Sequence, residues 1–199
     1  MSILNSTFVI SFMGVDGSGK TTLIKQLNKQ LKSNYKNIKN LHLRPYFFLT
    51  DTRTVNKNPH DQKKLNSHVV SLIRILIWLF VYHIFFFINL KKKNQLIIFD
   101  RYAHDLLIDN IRYRFTLSKK ITNFILKLFP KPHLWIVLKA PIKLIEERKK
   151  ELSNKELKRQ MNEYIFFSKK KKNVLVVDTR YNIKKNILLI IKKMKSIVI

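Results

Sequence analysis

A glycine-rich stretch near the amino terminus constrains this chain more than any other part of it. Residues 12–22 read FMGVDGSGKTT and fit the phosphate-loop pattern G-x-x-x-x-G-K-[ST] through Gly14, Gly19, Lys20 and Thr21. A β-branched and aromatic run precedes the loop, and a helical pattern follows it. In such a unit, backbone N–H groups and the start of the helix point toward a phosphate group. The motif therefore predicts a strand, an anion-binding loop and a helix, in that order.

The glycines of the chain are confined to this loop. The sequence has three, and they are Gly14, Gly17 and Gly19. Because glycine is used nowhere else, these positions are expected to need a positive φ angle or a close approach to a ligand. Lys20 is expected to reach the β- and γ-phosphates of a nucleotide, and the Thr21 hydroxyl to ligate Mg²⁺. The loop residues predicted to contact the nucleotide are Gly14, Val15, Asp16, Gly17, Ser18, Gly19, Lys20, Thr21 and Thr22.

Asp16 is a carboxylate inside a loop that is predicted to hold phosphate. Such a position is unfavourable unless the carboxylate faces a hydroxyl, a cation or Mg²⁺. One interpretation is that Asp16 contacts a hydroxyl of the phosphate acceptor. The alternative is an Asx-turn in which Asp16 only shapes the loop.

Apolar strand-like runs alternate with helical patterns along the whole chain. The runs end near Phe12, Leu43, Phe99, Leu138 and Val177, and amphipathic segments lie between them. This alternation predicts an α/β fold, a three-layer arrangement with a parallel five-stranded sheet and helices on both faces. A length of 199 residues favours one domain over 1–199, with a basic, lid-like region around 143–172.

Charged residues follow two of the predicted strands. Arg44 follows the second strand, and Asp100 and Arg101 follow the third. In parallel sheets, ligands bind beyond the carboxyl ends of the strands. Asp100 is therefore predicted to hold Mg²⁺, and Arg101 to grip a phosphate through two hydrogen bonds. The alternatives are a helix N-cap for Asp100 and a surface cation for Arg101.

Two further arginines are candidates for contact with a phosphate. Arg148 lies on a basic helix after the fourth strand, where it is predicted to act as a lid cation over the transferred phosphoryl group. The alternative is an ordinary side chain on a surface helix. Arg112, next to Tyr113 and Arg114, is a candidate for an anion-binding cradle.

The composition limits the classes of partner. The net charge is +28, and most of the basic residues are lysines dispersed along the chain. This dispersion favours solvated lysine faces over a dedicated nucleic-acid surface. The chain has no cysteine, which excludes disulfides, thiolate zinc sites and a cysteine nucleophile. No signal-peptide pattern precedes the first strand, so a cytoplasmic protein is expected.

Residues 75–88 form the most apolar segment of the sequence. The run is shorter than the roughly 20 apolar residues that a membrane span needs. We therefore expect a buried core helix within a longer helix over 61–90, and no membrane insertion. The same helix is a candidate for the buried face of a homodimer.

Three stretches together resemble the thymidylate kinase family. They are the loop core Asp16–Thr22, the segment Ile98–Tyr102 and the tail Val176–Thr179. The resemblance implies a P-loop kinase fold that uses ATP and Mg²⁺, with Lys20 on the transferred phosphate. It also implies Arg101 on the acceptor's phosphate, Asp16 at the acceptor's sugar, Arg148 in the lid and the loop of Thr179 near adenine. Tyr102, Arg44 and Arg112 are further candidates for contact with the acceptor, and family resemblance suggests a dimer.

The sequence also departs from the family pattern. Members commonly carry Arg-Glu-Pro-Gly after the second strand, and this chain has Leu43-Arg44-Pro45-Tyr46. They commonly follow Asp-Arg-Tyr with Ser, and this chain continues with Ala103. A kinase acting on a nucleoside monophosphate, with dTMP as the default acceptor, is the main expectation. The alternatives are a kinase for a sugar or other small acceptor, a nucleotide-dependent protein that binds nucleic acid or membrane, and an inactive paralogue.

Overall fold

Five parallel β-strands form the central sheet of the protein. The structure is a computed structural model that describes residues 6–43, 65–148 and 152–198. In chain order the strands are β1 (Thr7–Met13), β2 (Asn37–His42), β3 (Gln95–Asp100), β4 (Leu134–Lys139) and β5 (Val174–Asp178). Their order across the sheet is β2-β3-β1-β4-β5. The strand that precedes the glycine-rich loop therefore lies in the middle of the sheet.

Helices connect the strands. They are α1 (Lys20–Leu31), α2 (His68–Leu90), α3 (Asp105–Ile108), α4 (Lys119–Leu128), α5 (Ile142–Arg148), α6 (Asn154–Lys170) and α7 (Ile183–Val198). Ser118 and Ser153 cap α4 and α6, because each hydroxyl accepts a hydrogen bond from the backbone N–H three residues later. The helix expected over 61–90 begins only at residue 68, because the Ser67 hydroxyl caps it and 65–67 are not helical. Residues 61–64 lie outside the described residues.

The sheet has an apolar layer on each face. Side chains alternate along β1, so that Val9 and Met13 join one core cluster while Ile10 and Phe12 join the other. The first cluster packs under α2, α3, α4 and α6, and the second packs under α1 and α7. This arrangement confirms the prediction of a three-layer α/β fold with a parallel five-stranded sheet.

Helix α2 differs from the expected buried core helix. One stripe at helical spacing is buried against the sheet, and it includes Ile75, Trp78, Tyr82 and Phe85. The opposite stripe is exposed and mostly apolar, and the prediction of full burial is therefore wrong for that side. Among the described residues, α2 is also the one helix that could cross a membrane by length and composition. The exposed stripe consists of Val69, Val70, Leu72, Ile73, Leu76, Ile77, Phe80, Phe87, Ile88 and Leu90.

The register of the two central strands places the charged residues next to the loop. In the parallel ladder between β1 and β3, Phe12 pairs with Asp100. The backbone N–H of Arg101 then donates to the Phe12 carbonyl, with N and O 2.9 Å apart. The ends of both strands are thus at the same edge of the sheet, where the glycine-rich loop leaves β1.

Candidate functional site

The glycine-rich loop has the backbone that its sequence predicts. The φ angles are +151° at Gly14, +79° at Gly17 and +95° at Gly19, a region that other residues rarely adopt. A Cβ atom at Gly14 would lie 3.1 Å from the Ser18 hydroxyl oxygen and 3.2 Å from atoms of Leu138. Gly14 is therefore required both for its φ angle and for the close approach of β4 to the loop.

The Lys20 ammonium lies inside the loop. Lys20 is the first residue of α1, and its Nζ donates to the Gly14 carbonyl at 2.8 Å and the Val15 carbonyl at 2.9 Å. The side chain is buried. Burial lowers the pKa of Lys20 to about 8, an effect that Arg101 adds to and that Asp16 partly opposes. The ammonium is thus fixed beside the loop before any anion arrives.

Asp100 and Thr21 supply oxygen atoms to the same cavity as Lys20. The Asp100 Oδ1 atom is buried and has no hydrogen-bond partner among the described residues. Thr21 is exposed in the first turn of α1. These oxygens fit Mg²⁺, which takes one or two protein ligands and completes its shell with water and substrate phosphates. In the described part of the chain no three His, Cys, Asp or Glu side chains group as a metal site.

Arg101 is buried and held from several sides. Its guanidinium donates to Asp16 at 2.5 Å, to Asp105 at 2.5 Å and to the Tyr164 hydroxyl at 3.3 Å. Only 1% of the Arg101 surface is exposed. Burial opposes the charge, but Tyr113 and the two aspartates nevertheless hold the pKa of Arg101 well above its usual value. The guanidinium therefore stays charged and has a fixed orientation.

Asp16 joins the glycine-rich loop to two arginines. One carboxylate oxygen accepts from Arg101, and the other accepts from Nη1 of Arg112. The Lys20 ammonium lies 3.7 Å from the same carboxylate. Three cations thus surround Asp16, and they offset the cost of placing a carboxylate inside the loop. In this conformation Asp16 faces cations, and contact with an acceptor hydroxyl stays a prediction.

These groups border one cavity of about 640 Å³ at the carboxyl end of the sheet. Its volume is typical of a site for a nucleotide-sized ligand. Sequence reasoning missed several of its residues, because no motif marks them. The missed lining residues are Leu23, His42, Tyr181, Ile183 and Asn186. The cavity is thus lined by the glycine-rich loop, by the Asp100 side chain and by three arginines.

His42 is the missed residue with the clearest polar environment. It ends β2, and its Nδ1 lies 2.9 Å from the Asp100 carbonyl oxygen. Since a carbonyl only accepts, Nδ1 carries the hydrogen, and Nε2 is left to face another group. Burial lowers the pKa of His42, although the nearby Asp100 carboxylate raises it in part. The neutral ring can therefore serve as a hydrogen-bond acceptor in the cavity.

Two of the remaining predicted residues border the cavity. Arg148 ends α5, and its Nη1 lies 3.4 Å from the Gly17 carbonyl oxygen, so it lies against the loop. It belongs to the lid-like region predicted around 143–172, of which 149–151 are outside the described residues. Thr179 follows β5 and also lines the cavity, beside Gly19.

Tyr102 does not line the cavity, and neither do Gly14, Val15 and Ser18 of the loop, of which Val15 and Ser18 are buried. Tyr102 is fully buried, and its hydroxyl donates to the Pro130 carbonyl at 2.5 Å. Its ring packs edge-on against Tyr82, Phe99 and Trp135. The prediction that Tyr102 binds the substrate is therefore corrected, since its position is structural. Arg44 lies outside the described residues.

Comparison of the sequence with protein-family models gives no match, and comparison with curated proteins gives no significant match. Comparison of the structure with solved structures does find similar proteins. A thymidylate kinase from Ehrlichia chaffeensis is 18% identical with a TM-score of 0.63, over 94% of this chain and 98% of that one. A thymidylate kinase from Candida albicans is 14% identical with a TM-score of 0.61, over 96% of this chain and 92% of that one.

A deoxyadenosine kinase from M. mycoides, solved with bound dATP, is 17% identical with a TM-score of 0.58. That match covers 94% of this chain and 99% of the other. Another structure of the deoxyadenosine kinase contains dCMP, described as a product. At these identities the similarity shows the fold, and the chain has the P-loop kinase fold.

Proposed function

We propose that the protein transfers the γ-phosphoryl group of ATP to a small acceptor, in the first place a nucleoside monophosphate. One observation carries this proposal: the glycine-rich loop, Lys20, Asp100 and Arg101 border a single cavity. A polyphosphate site alone would fit any nucleotide-binding protein. The added arginines beside the loop provide a place for a second anion, as a phosphorylated acceptor requires.

The donor half of the reaction rests on the loop and the residues around it. Lys20 would exchange the carbonyls of Gly14 and Val15 for phosphate oxygens and stabilise the charge that develops during transfer. Thr21 and Asp100 would hold Mg²⁺, which when bound neutralises charge on the β- and γ-phosphate oxygens. Arg148 lies against the loop and adds a cation on that side. Catalysis of this kind depends on positioning and charge, and it needs no covalent intermediate.

The acceptor half rests on Arg101 and Arg112. Both arginines bond to Asp16, so a phosphate arriving here would share them with a carboxylate that is already present. In the reaction, an acceptor oxygen forms a bond to the γ-phosphorus as the bond to the β–γ bridging oxygen breaks. The acceptor loses a proton when its oxygen is a hydroxyl. The family resemblance makes dTMP the first acceptor to test.

A second candidate is a nucleoside without a phosphate. The Arg101 guanidinium already bonds Asp16, Asp105 and Tyr164, which reduces its capacity for a further anion. A deoxyadenosine kinase is also among the structural neighbours. With such an acceptor, Asp16 would accept a hydrogen bond from the reacting hydroxyl.

The test is a panel of acceptors with labelled ATP and Mg²⁺. The panel contains dTMP, dCMP and dAMP, the three corresponding nucleosides, and glucose. We expect turnover of a monophosphate, and Arg112→Leu should raise its KM by about tenfold, the effect of losing one charged hydrogen bond. Turnover of nucleosides alone, unaffected by Arg112→Leu, would replace the first candidate by the second. Turnover of glucose alone would reject both, and no turnover would reject the kinase.

We also propose that the exposed apolar stripe of α2 is covered by a second copy of this chain. The helix contains a single charged residue, Arg74, in a chain whose net charge is +28. Two copies of so cationic a protein meet with least repulsion through an uncharged face. An exposed stripe of ten apolar side chains is typical of an interaction surface.

A further inference from the structure

A second cavity, of about 430 Å³, lies between α3, α4 and α6. In the described part of the chain it shares no lining residue with the cavity at the glycine-rich loop. The phosphoryl-transfer site makes no use of it. Its walls combine aromatic rings with the ends of several lysine side chains.

The aromatic wall is formed by Phe166 and Phe167 at the end of α6. Phe167 is fixed, because its ring packs edge-on against Trp135 at 5.1 Å and His104 at 5.3 Å between centroids. Phe166 is 53% exposed, and the Lys170 ammonium lies 4.0 Å from the centre of its ring. A flat apolar group entering the cavity would cover exposed surface of Phe166.

His104 lines the cavity, and one of its ring nitrogens is buried without a hydrogen-bond partner among the described residues. It is 4% exposed, and its Nε2 lies 3.1 Å from the Lys171 ammonium. Burial, together with Lys171 and Lys131, lowers the pKa of His104 well below its usual value, so the ring is neutral. Nε2 therefore accepts from Lys171, and Nδ1 carries the hydrogen. Nδ1 has no partner among the described residues, and a buried donor without a partner is unfavourable.

The charge of the cavity is strongly positive. Four lysines and one glutamate line it. Glu163 lies 3.2 Å from Lys119, which leaves Lys127, Lys170 and Lys171 without a carboxylate in the cavity. A cavity with this balance attracts an anion, and its apolar wall excludes a fully hydrated one such as free phosphate.

We infer that this second cavity binds a planar aromatic carboxylate. The ring of the ligand packs on Phe166 and Phe167, and its carboxylate accepts a hydrogen bond from Lys171, which the neutral His104 ring holds in place. The lysines account for the carboxylate of such a ligand, and the aromatic wall accounts for its ring. This site is separate from the proposed transfer of phosphate and does not depend on it.

The experiment measures binding of 2-naphthoate to the full chain by calorimetry, with 2-naphthalenemethanol as the uncharged analogue. Lys171→Met should weaken naphthoate binding by about tenfold, since it removes a charged donor and keeps an apolar stem. Phe166→Ala should weaken it by roughly fivefold, the usual effect of one aromatic contact. The alcohol should bind more weakly than naphthoate. Saturating ATP with Mg²⁺ should leave naphthoate binding unchanged.

The chain offers a matched control on α2. Phe87 is 67% exposed and also has a lysine over its ring, Lys91 at 4.2 Å. Phe87→Ala and Lys91→Met should leave naphthoate binding as in the native chain, and circular dichroism should show that every variant is folded. The inference is overturned by any of these results: no naphthoate binding, equal binding of the alcohol, displacement by ATP, or an equal effect of the α2 variants.

Discussion

The guanidinium of Arg101 and the carboxylate of Asp105 form a buried ion pair, with Nη1 and Oδ2 2.5 Å apart. Arg101 is 1% exposed and Asp105 is 0% exposed. Tyr164 donates to the second oxygen of Asp105 at 3.1 Å, so the carboxylate is satisfied from two sides. Arg101 adopts a φ angle of +76°, which is unusual for a residue with a side chain. Asp105 and Tyr164 thus hold Arg101 in a backbone conformation that residues with a side chain rarely adopt.

Asp105→Asn should destabilise the folded protein strongly. Removing one partner of a buried ion pair costs up to about 3 kcal/mol of unfolding free energy, and here Asp16 stays beside Arg101 and compensates part of its charge. Chemical denaturation followed by circular dichroism measures this. Glu163→Gln is the control, because its partner Lys119 is 68% exposed and such a pair contributes about 1 kcal/mol or less. Equal effects of the two substitutions would show that the buried pair is not a stabilising element.

Lys20→Ala should abolish most phosphoryl transfer. Losing one preorganised charge at the transferred group lowers kcat by about 10²- to 10³-fold. A kinase assay with the best acceptor of the panel measures the loss. Lys25→Ala is the matched control, since Lys25 is exposed on the same helix. If the protein acts only by binding polyanions through its basic surface, the two variants will behave alike.

Nucleotide affinity should fall as the pH rises past 8. The pKa of Lys20 is lowered to about 8 from its usual 10.5 by burial, so the ammonium that meets the phosphates is lost above that pH. If only the charged form binds, affinity for ATP drops about tenfold between pH 7 and pH 9. Calorimetry at both values measures the drop, and Lys20→Met should show no such pH dependence. A native chain with constant affinity would mean that Lys20 does not bind the phosphates.

The same pKa shift has the opposite effect on stability. Between pH 8 and 10.5 the unfolded chain holds the Lys20 proton more often than the folded chain does. The contribution of this lysine to the free energy of unfolding therefore rises with pH in that window. The unfolding free energy of Lys20→Met, measured beside the native chain, should lack this rise.

Gly14→Ala should destabilise the loop more than Gly19→Ala. Both positions have positive φ angles, which cost about 1–3 kcal/mol for a residue with a Cβ atom. At Gly14 the new Cβ also meets Ser18 and Leu138 at 3.1–3.2 Å, whereas at Gly19 the nearest atoms are 3.8 Å away. Thermal unfolding and ATP binding measure the difference. Equal effects would mean that the strain at these positions comes from φ alone.

Phe80→Asp should convert the proposed dimer to a monomer. Phe80 is 66% exposed on the apolar stripe of α2, and a buried aspartate at an interface has no partner there. Light scattering after size exclusion measures the mass. Leu188→Asp is the control, because Leu188 is 64% exposed on α7, which packs on the opposite face of the sheet. A native chain that is monomeric and binds phosphatidylserine vesicles through α2 would contradict the dimer.

The sequence is most informative where backbone geometry decides the structure. The pattern around Lys20 requires a particular loop, and the apolar run before Asp100 requires a buried parallel strand. Since both strands end at one edge of the sheet, the pairing of loop and carboxylate follows without knowledge of any side-chain contact. The alternation of strands and helices likewise determines the layers.

Other features depend on tertiary contacts that no local sequence pattern predicts. Tyr102 follows directly after Arg101, but the backbone turn at Arg101 sends the tyrosine into the core. Tyr164 contacts Arg101 from a helix 63 residues away, and only tertiary packing brings them together. The sequence does not predict which stripe of α2 is exposed, because both stripes of this helix are apolar. Hydrophobic patterning identifies a buried side only when the other side is polar.

The ladder between β1 and β3 has one further consequence. Phe12 and Asp100 are partners in it, and the hydrogen bonds that join them belong to the peptide groups. The separation between the glycines and the carboxylate is thus independent of which side chains fill the two strands. A slip of one residue, by contrast, would turn Asp100 toward the opposite layer. Side chains on these two strands can therefore be exchanged without moving the carboxylate relative to the loop, as long as the register of the ladder is kept.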